Sequence, residues 1–119
     1  MATNIGLYIR VSTDRQARID EGSLKSQKQR LEECVSFSNK VHEKDFVVHH
    51  VYQDVESGTT AHRPDYQKML QDIRTGRLRA VAAISISRLN RSIRDFYELQ
   101  DLCEKHNVAI VSLKENFDT

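Results

Sequence analysis

The run AVAAISI, residues 80–86, is short, apolar almost throughout and bounded on both sides by arginine-bearing segments. That pattern suits a strand buried on both faces of a sheet. Its flanks read as helices. RPDYQKMLQDIRTG (63–76) sets Pro64 in a first helical turn and Gly76 just past the end. Residues 92–106 place Ile93, Phe96, Leu99 and Cys103 on one amphipathic face. Further out, VAIVSL (108–113) and the β-rich FVVHHVYQD (46–54) are strands, and Ser23 caps a helix with Leu24, Leu31, Cys34 and Val35 at helical spacing. Residues 4–12 alternate: Ile5, Leu7, Ile9 and Val11 point one way, and Gly6, Tyr8, Arg10 and Ser12 the other.

Strands that alternate with helices need crossover connections, and therefore a parallel sheet. The expected class is α/β: a small open, mainly parallel sheet of about four to five strands with helices on both faces. Sites in such sheets gather at the carboxyl ends of the strands. Ser12, Asp54 and the Ser87–Arg88 pair all fall at such ends and are expected to converge.

The 119 residues suffice for one domain with one core. Apolar residues make up 39% and charged residues 29%, no apolar run reaches membrane-spanning length, and MATNIGLYIR lacks a signal-peptide core, which together lead to a cytoplasmic expectation. Cys34 and Cys103 read as reduced core thiols, and the five histidines show no metal-ligand spacing. The net charge of +1 argues against a general nucleic-acid coat. Its distribution says more: from Ile73 to Arg94 there are six arginines and no acidic residue. Arginine suits bidentate phosphate contact, although charge alone fits a solvated basic face as well.

Arg10 is the odd residue in this pattern. A charge on a central strand costs several kcal/mol of desolvation, roughly, unless it is paired. One resolution is an Arg10–Asp54 ion pair with no chemistry; the other is a hydroxyl, Ser12, facing a bound phosphate with arginine countercharge. Gln27 shares the apolar stripe of its helix, so it either finds a buried hydrogen-bond partner or sits at the edge in water. Arg88 and Arg91, at i and i+3 of a helix, would fall on one side and can share a single phosphate. ESGTTAHRP (56–64) is a Gly/Ser/Thr-rich loop from which Arg63 can swing in. No nucleophile elbow, no phosphate-binding P-loop and no paired-carboxylate metal array is present, so no metal or other cofactor is expected.

YIRVSTDRQ, followed by SLKSQKQRL, DVESGTTAHRPDYQKMLQDI, ISRLNRS and VSLKENFDT, resembles the catalytic domain of the serine site-specific recombinases, in order and over nearly the whole chain. EGSLKSQ and ENFDT look more like the large serine recombinase branch. The resemblance implies that Ser12 attacks a DNA phosphodiester, leaving a 5′-phosphoseryl linkage and a free 3′-hydroxyl. It implies that Arg10, Arg88 and Arg91 bind the scissile phosphate, that Arg63 assists from a mobile loop, and that Tyr8, Gln16, Gln27, Asp54 and Ser57 surround the site. The family often carries an aspartate where this chain has Ser87, so a general-acid or orienting role for that position does not carry over. It further implies double-stranded DNA sites as partner, dimers to tetramers in full-length proteins of bacterial, phage or mobile-element origin, and no membrane. The abrupt ENFDT ending suggests a fragment, residues 1–119, without an oligomerisation helix or DNA-binding region, monomeric or weakly dimeric by itself. A non-catalytic α/β interaction module and a small-molecule phosphate-handling enzyme are the alternatives.

Overall fold

The computed structural model describes residues 2–11, 24–55, 63–90, 92–114 and 117–118. Its order is β1 (Thr3–Val11), α1 (Leu24–Val41), β2 (Phe46–Val55), α2 (Pro64–Arg74), β3 (Ala80–Ala83), α3 (Ile86–Leu89), α4 (Ile93–Lys105), β4 (Ala109–Ser112) and β5 (Phe117–Asp118). The sheet runs β2-β1-β3-β4-β5. The first four strands pair in parallel, and the two-residue β5 returns antiparallel along β4. The α/β class and the mainly parallel open sheet are as expected.

Alternation along β1 divides the core in two. Ile5, Leu7 and Ile9 pack on one face with Leu31 and Val35 of α1 and with Ala80 and Ala82 of β3. Tyr8 faces the other side with Tyr52, Val81 and Ile110, beneath Met69 and Ile73 of α2 and Leu99 and Cys103 of α4. Both faces of β1 and β3 are therefore buried, which is why the sequence of β3 is apolar at every position.

Gly6 is required by packing. A β-carbon there would lie 2.8 Å from Cε2 of Tyr52 and 3.1 Å from Cδ1 of Leu78. The β1–β2 register shifts at Ile5/Gly6, leaving His49 as an extra residue in β2. Tyr52, buried beside the bulge, donates its hydroxyl to Asp72 Oδ2 at 2.6 Å and so ties the edge strand to α2. Gly76, with φ of 78°, ends α2 after Thr75, matching its expected place.

Three local expectations change. The third strand stops at Ala83 rather than at residue 86, because Ser85 turns the chain into α3 and accepts a hydrogen bond from the Arg88 N–H. Ile93 is 73% exposed; α4 buries Leu99 and Cys103, with Phe96 and Leu102 packed beside them. Cys34 is only half-buried, whereas Cys103 is inside. The expected cap Ser23 lies outside the described residues. Among the described residues, no helix is long and apolar enough to cross a membrane.

Candidate active site

Arg10 sits near the carboxyl end of β1, a central strand, and is 9% exposed. It is the register partner of Asp54 on β2. The two are not an ion pair. Asp54 accepts the Tyr8 hydroxyl at 2.7 Å and the main-chain N–H groups of Asp65 and Tyr66 at 3.1 and 3.0 Å. Those amides belong to the first turn of α2, whose own cap residue, Arg63, provides no side-chain cap. Asp54 thus caps α2 from a neighbouring strand, with its negative charge at the positive end of the helix. Among the described residues no ion pair joins Arg10 to Asp54, whose oxygens are engaged by Tyr8 and the α2 amides.

Arg10 turns instead to α3. Its Nε donates to the Arg88 carbonyl at 3.2 Å and its Nη2 to the Ser87 carbonyl. Nη1 of Arg88 returns a bond of 3.3 Å to the Arg10 carbonyl, which also accepts Gln27 Nε2 at 3.1 Å. Gln27 is 1% exposed, so its place on the apolar stripe of α1 is an inward one.

Arg63, the residue immediately before α2, is already held in the cluster. Its guanidinium lies 3.8 Å above the Tyr66 ring centroid and 5.2 Å from that of Tyr8. Nε donates to the Tyr8 oxygen at 3.1 Å, and Nη2 donates to the Leu89 carbonyl. Burial pushes the Tyr8 hydroxyl far above the ordinary tyrosine range, with the Arg63 charge opposing and the Asp54 bond reinforcing the shift. Tyr66 is raised too, chiefly by burial. Both phenols stay neutral over the physiological range, Tyr8 donating to Asp54 and Tyr66 accepting from Asn90 Nδ2.

Four residues cannot nucleate a stable helix by themselves, and α3 leaves its carbonyls exposed at the end. Each finds a donor. The Ile86 carbonyl accepts from the Asn90 N–H at 2.9 Å, those of Ser87 and Arg88 from Arg10, and that of Leu89 from Arg63. Two buried cations at the negative end of the helix fix it to the sheet. Asn90 then leaves the helix with φ −136° and ψ 147°, and α4 begins only at Ile93 after its Ser92 cap. The break at Asn90 therefore ends the helix that carries Arg88, and Arg91, expected on the same helix face, lies outside the described residues.

The described site residues Tyr8, Arg10, Gln27, Asp54, Arg63, Ser87 and Arg88 come together at the carboxyl end of the sheet. Ser87 is exposed and has its Oγ 3.0 Å from that of Ser85. Ser12, Gln16, Ser57 and Arg91 lie outside the described residues, as does loop 56–62. Tyr66 and Asn90 belong to the cluster but were not legible in advance, since a tyrosine and an asparagine at these positions carry no motif. Arg74, Arg77 and Arg79 are exposed, away from this cluster. Among the described residues, no group of three His, Cys, Asp or Glu side chains is placed to hold a metal ion.

The N-terminal catalytic domain of TP901-1 integrase superimposes with a TM-score of 0.79 at 30% identity, covering 98% of this chain and 82% of that one. A resolvase family site-specific recombinase from Streptococcus pneumoniae gives 0.78 at 23% identity, over 98% and 76%. The C-terminal catalytic domain of ISC1926 TnpA, an IS607-like serine recombinase, gives 0.75 at 22% identity, over 92% and 67%. The last two likenesses concern the fold alone. No curated protein matches at a significant level. The family model for the resolvase N-terminal domain matches residues 5–119, so the chain belongs to the resolvase family of serine recombinase domains.

Proposed function

We propose that this domain breaks and rejoins DNA by a serine nucleophile, as the catalytic part of a longer site-specific recombinase. The Ser12 hydroxyl oxygen attacks the scissile phosphorus. The bond from phosphorus to the 3′ oxygen breaks, a proton goes to that oxygen, and the 5′ phosphate remains esterified to Ser12. After strand exchange a 3′-hydroxyl attacks the phosphoserine and releases the serine. Energy is conserved in the ester, so neither ATP nor metal is needed.

The observation that carries this reading is the arginine arrangement two residues before Ser12. A buried cation on a central strand is costly, yet here it is fixed to the backbone of a second arginine-bearing segment. Pre-aimed guanidinium charge stabilises a pentacoordinate phosphorane without reorganisation at the moment of reaction. Arg10, Arg88 and Arg91 supply that charge in this reading. Tyr8, Gln27 and Asp54 hold the cluster in place, Gln16 and Ser57 line it, and Ser87 contributes a hydrogen bond only. The partner is double-stranded DNA, engaged by a dimer that becomes a tetramer, with the 119-residue piece itself monomeric or weakly dimeric. The setting is the cytoplasm of a cell hosting the gene.

The test is covalent trapping on a nicked-site substrate by full-length protein. Wild type is expected to form a protein–DNA adduct resistant to denaturant. Ser12→Ala is expected to form none while still binding DNA, and Ser12→Cys to retain slow cleavage. An adduct formed normally by Ser12→Ala would overturn the assignment.

A further inference from the structure

We propose that Tyr66 and Asn90 are positioning residues that hold the arginine-bearing segment 88–90 in register with the sheet. The proposal rests on the recombinase reading for its consequence in catalysis, but its geometry stands apart from it.

Asn90 is 3% exposed and adopts an extended backbone where α3 ends. Its Nδ2 donates to the Tyr66 hydroxyl at 2.7 Å. Its Oδ1 is buried and has no partner among the described residues. The bond to Tyr66 is thus the one described side-chain tether of the residue that separates Arg88 from Arg91. Tyr66 is well suited to anchor it. Its main-chain N–H is bonded to Asp54, its ring lies under the Arg63 guanidinium, and it packs T-shaped against the Tyr8 ring with centroids 5.5 Å apart. Arg63 in turn reaches the Leu89 carbonyl. One rigid tyrosine therefore fixes two consecutive residues, Leu89 through Arg63 and Asn90 directly. Neither Tyr66 nor Asn90 needs to touch DNA. They act by deciding where the Arg88 guanidinium begins.

A buried asparagine whose side chain has a single described hydrogen bond is an uneconomical choice for stability alone. Replacing both partners of a buried hydrogen bond by apolar groups of similar shape is close to neutral, whereas removing one partner leaves the other unsatisfied. This asymmetry separates positioning from mere structure. Three variants are compared in full-length protein: Tyr66→Phe, Asn90→Leu, and the Tyr66→Phe/Asn90→Leu pair. Each is scored for thermal midpoint, for single-turnover cleavage at saturating DNA, and for the DNA concentration giving half-maximal rate. Both single variants are expected to lower the midpoint and to slow cleavage roughly ten- to a hundredfold, the fold-change equivalent of one unsatisfied buried group. The pair is expected to recover the midpoint but not the rate, with half-saturation unchanged throughout. Recovery of rate and midpoint together would overturn the proposal, as would a shift in half-saturation with the maximal rate intact.

A second measurement does not depend on DNA. In the 119-residue chain, Tyr66→Phe is expected to speed amide hydrogen exchange at Leu89 and Asn90 at least tenfold while leaving Ile110 unchanged. Equal exchange at all three positions would refute the tether. Absence of cleavage by wild type would instead refute the recombinase reading, and the exchange result would still decide the proposal.

Discussion

Arg10 and Arg88 each donate to the other's main chain, Nε of Arg10 to the Arg88 carbonyl at 3.2 Å and Nη1 of Arg88 to the Arg10 carbonyl at 3.3 Å. The pair crosses from a central strand to a four-residue helix, 78 residues apart in sequence. Two like charges are kept close because each satisfies carbonyl oxygens rather than competing for one carboxylate. The arrangement concentrates positive charge at the carboxyl end of the sheet, where an anion is the natural complement.

The planar fork of Arg88, and not its charge alone, is expected to matter. Arg88→Lys keeps the charge but loses both the bond to the Arg10 carbonyl and bidentate phosphate contact. Cleavage by full-length protein should slow by about a hundred- to a thousandfold, the usual cost of removing one transition-state donor. Arg79→Lys, at an exposed site, should change the rate little, and any effect should shrink with added salt. Equal slowing by both would make the basic stretch a general DNA-attracting face.

Gly6→Ala tests the packing under β1. The added methyl would meet the Tyr52 ring at 2.8 Å, and that ring is tethered through its hydroxyl to Asp72, so it cannot move away without breaking a buried bond. Overpacking of this kind costs about 1–3 kcal/mol. Urea unfolding should show a lower midpoint with an unchanged slope; a midpoint equal to wild type would contradict the packing.

Alkaline pH should unfold the domain. Burial pushes the Cys103 thiol from 9.0 up to about 12 and raises the hydroxyls of Tyr8, Tyr52 and Tyr66 above their ordinary value. The folded chain holds these protons where the unfolded chain has released them. Their stabilisation is therefore complete below pH 9 and is lost as pH rises, by about 1.4 kcal/mol per unit for the thiol between pH 9 and 12. Urea midpoints measured from pH 8 to 11 should fall, and Cys103→Ala should flatten the part of the decline that begins at pH 9. A flat wild-type profile would contradict the burial of these groups.

Chelation should not stop the reaction. The proposed chemistry draws its electrostatic stabilisation from guanidiniums, so EDTA is expected to leave the cleavage rate of full-length protein unchanged. Loss of activity on chelation with recovery on adding Mg²⁺ would show that arginines do not suffice.

Much of the fold was legible along the chain because burial imposes a period. Alternation in β1 predicted two faces, and the all-apolar AVAA of β3 predicted cover on both, because a strand between two helical layers has no solvated side. Pro64 and Gly76 marked the ends of α2 through backbone chemistry that acts within a few residues. The sequence by itself also singled out Arg10 and Gln27, since a charge or an amide on an apolar stripe violates the local pattern. What it did not determine was their partners. Asp54, the obvious counter-ion for Arg10 by register, is taken by the N-terminus of α2 and by Tyr8, and only the placement of that helix over the sheet decides this. The expected continuation of the Arg88 helix failed for a related reason. Local periodicity favours continuing a helix past Leu89, but the carbonyls at its end are captured by Arg10 and Arg63 from strands and helices remote in sequence, and Asn90 is drawn to Tyr66. Hydrogen bonds between residues 24 to 78 positions apart leave no trace in a local pattern, so the tertiary structure alone decided where α3 stops and which way its arginine leaves.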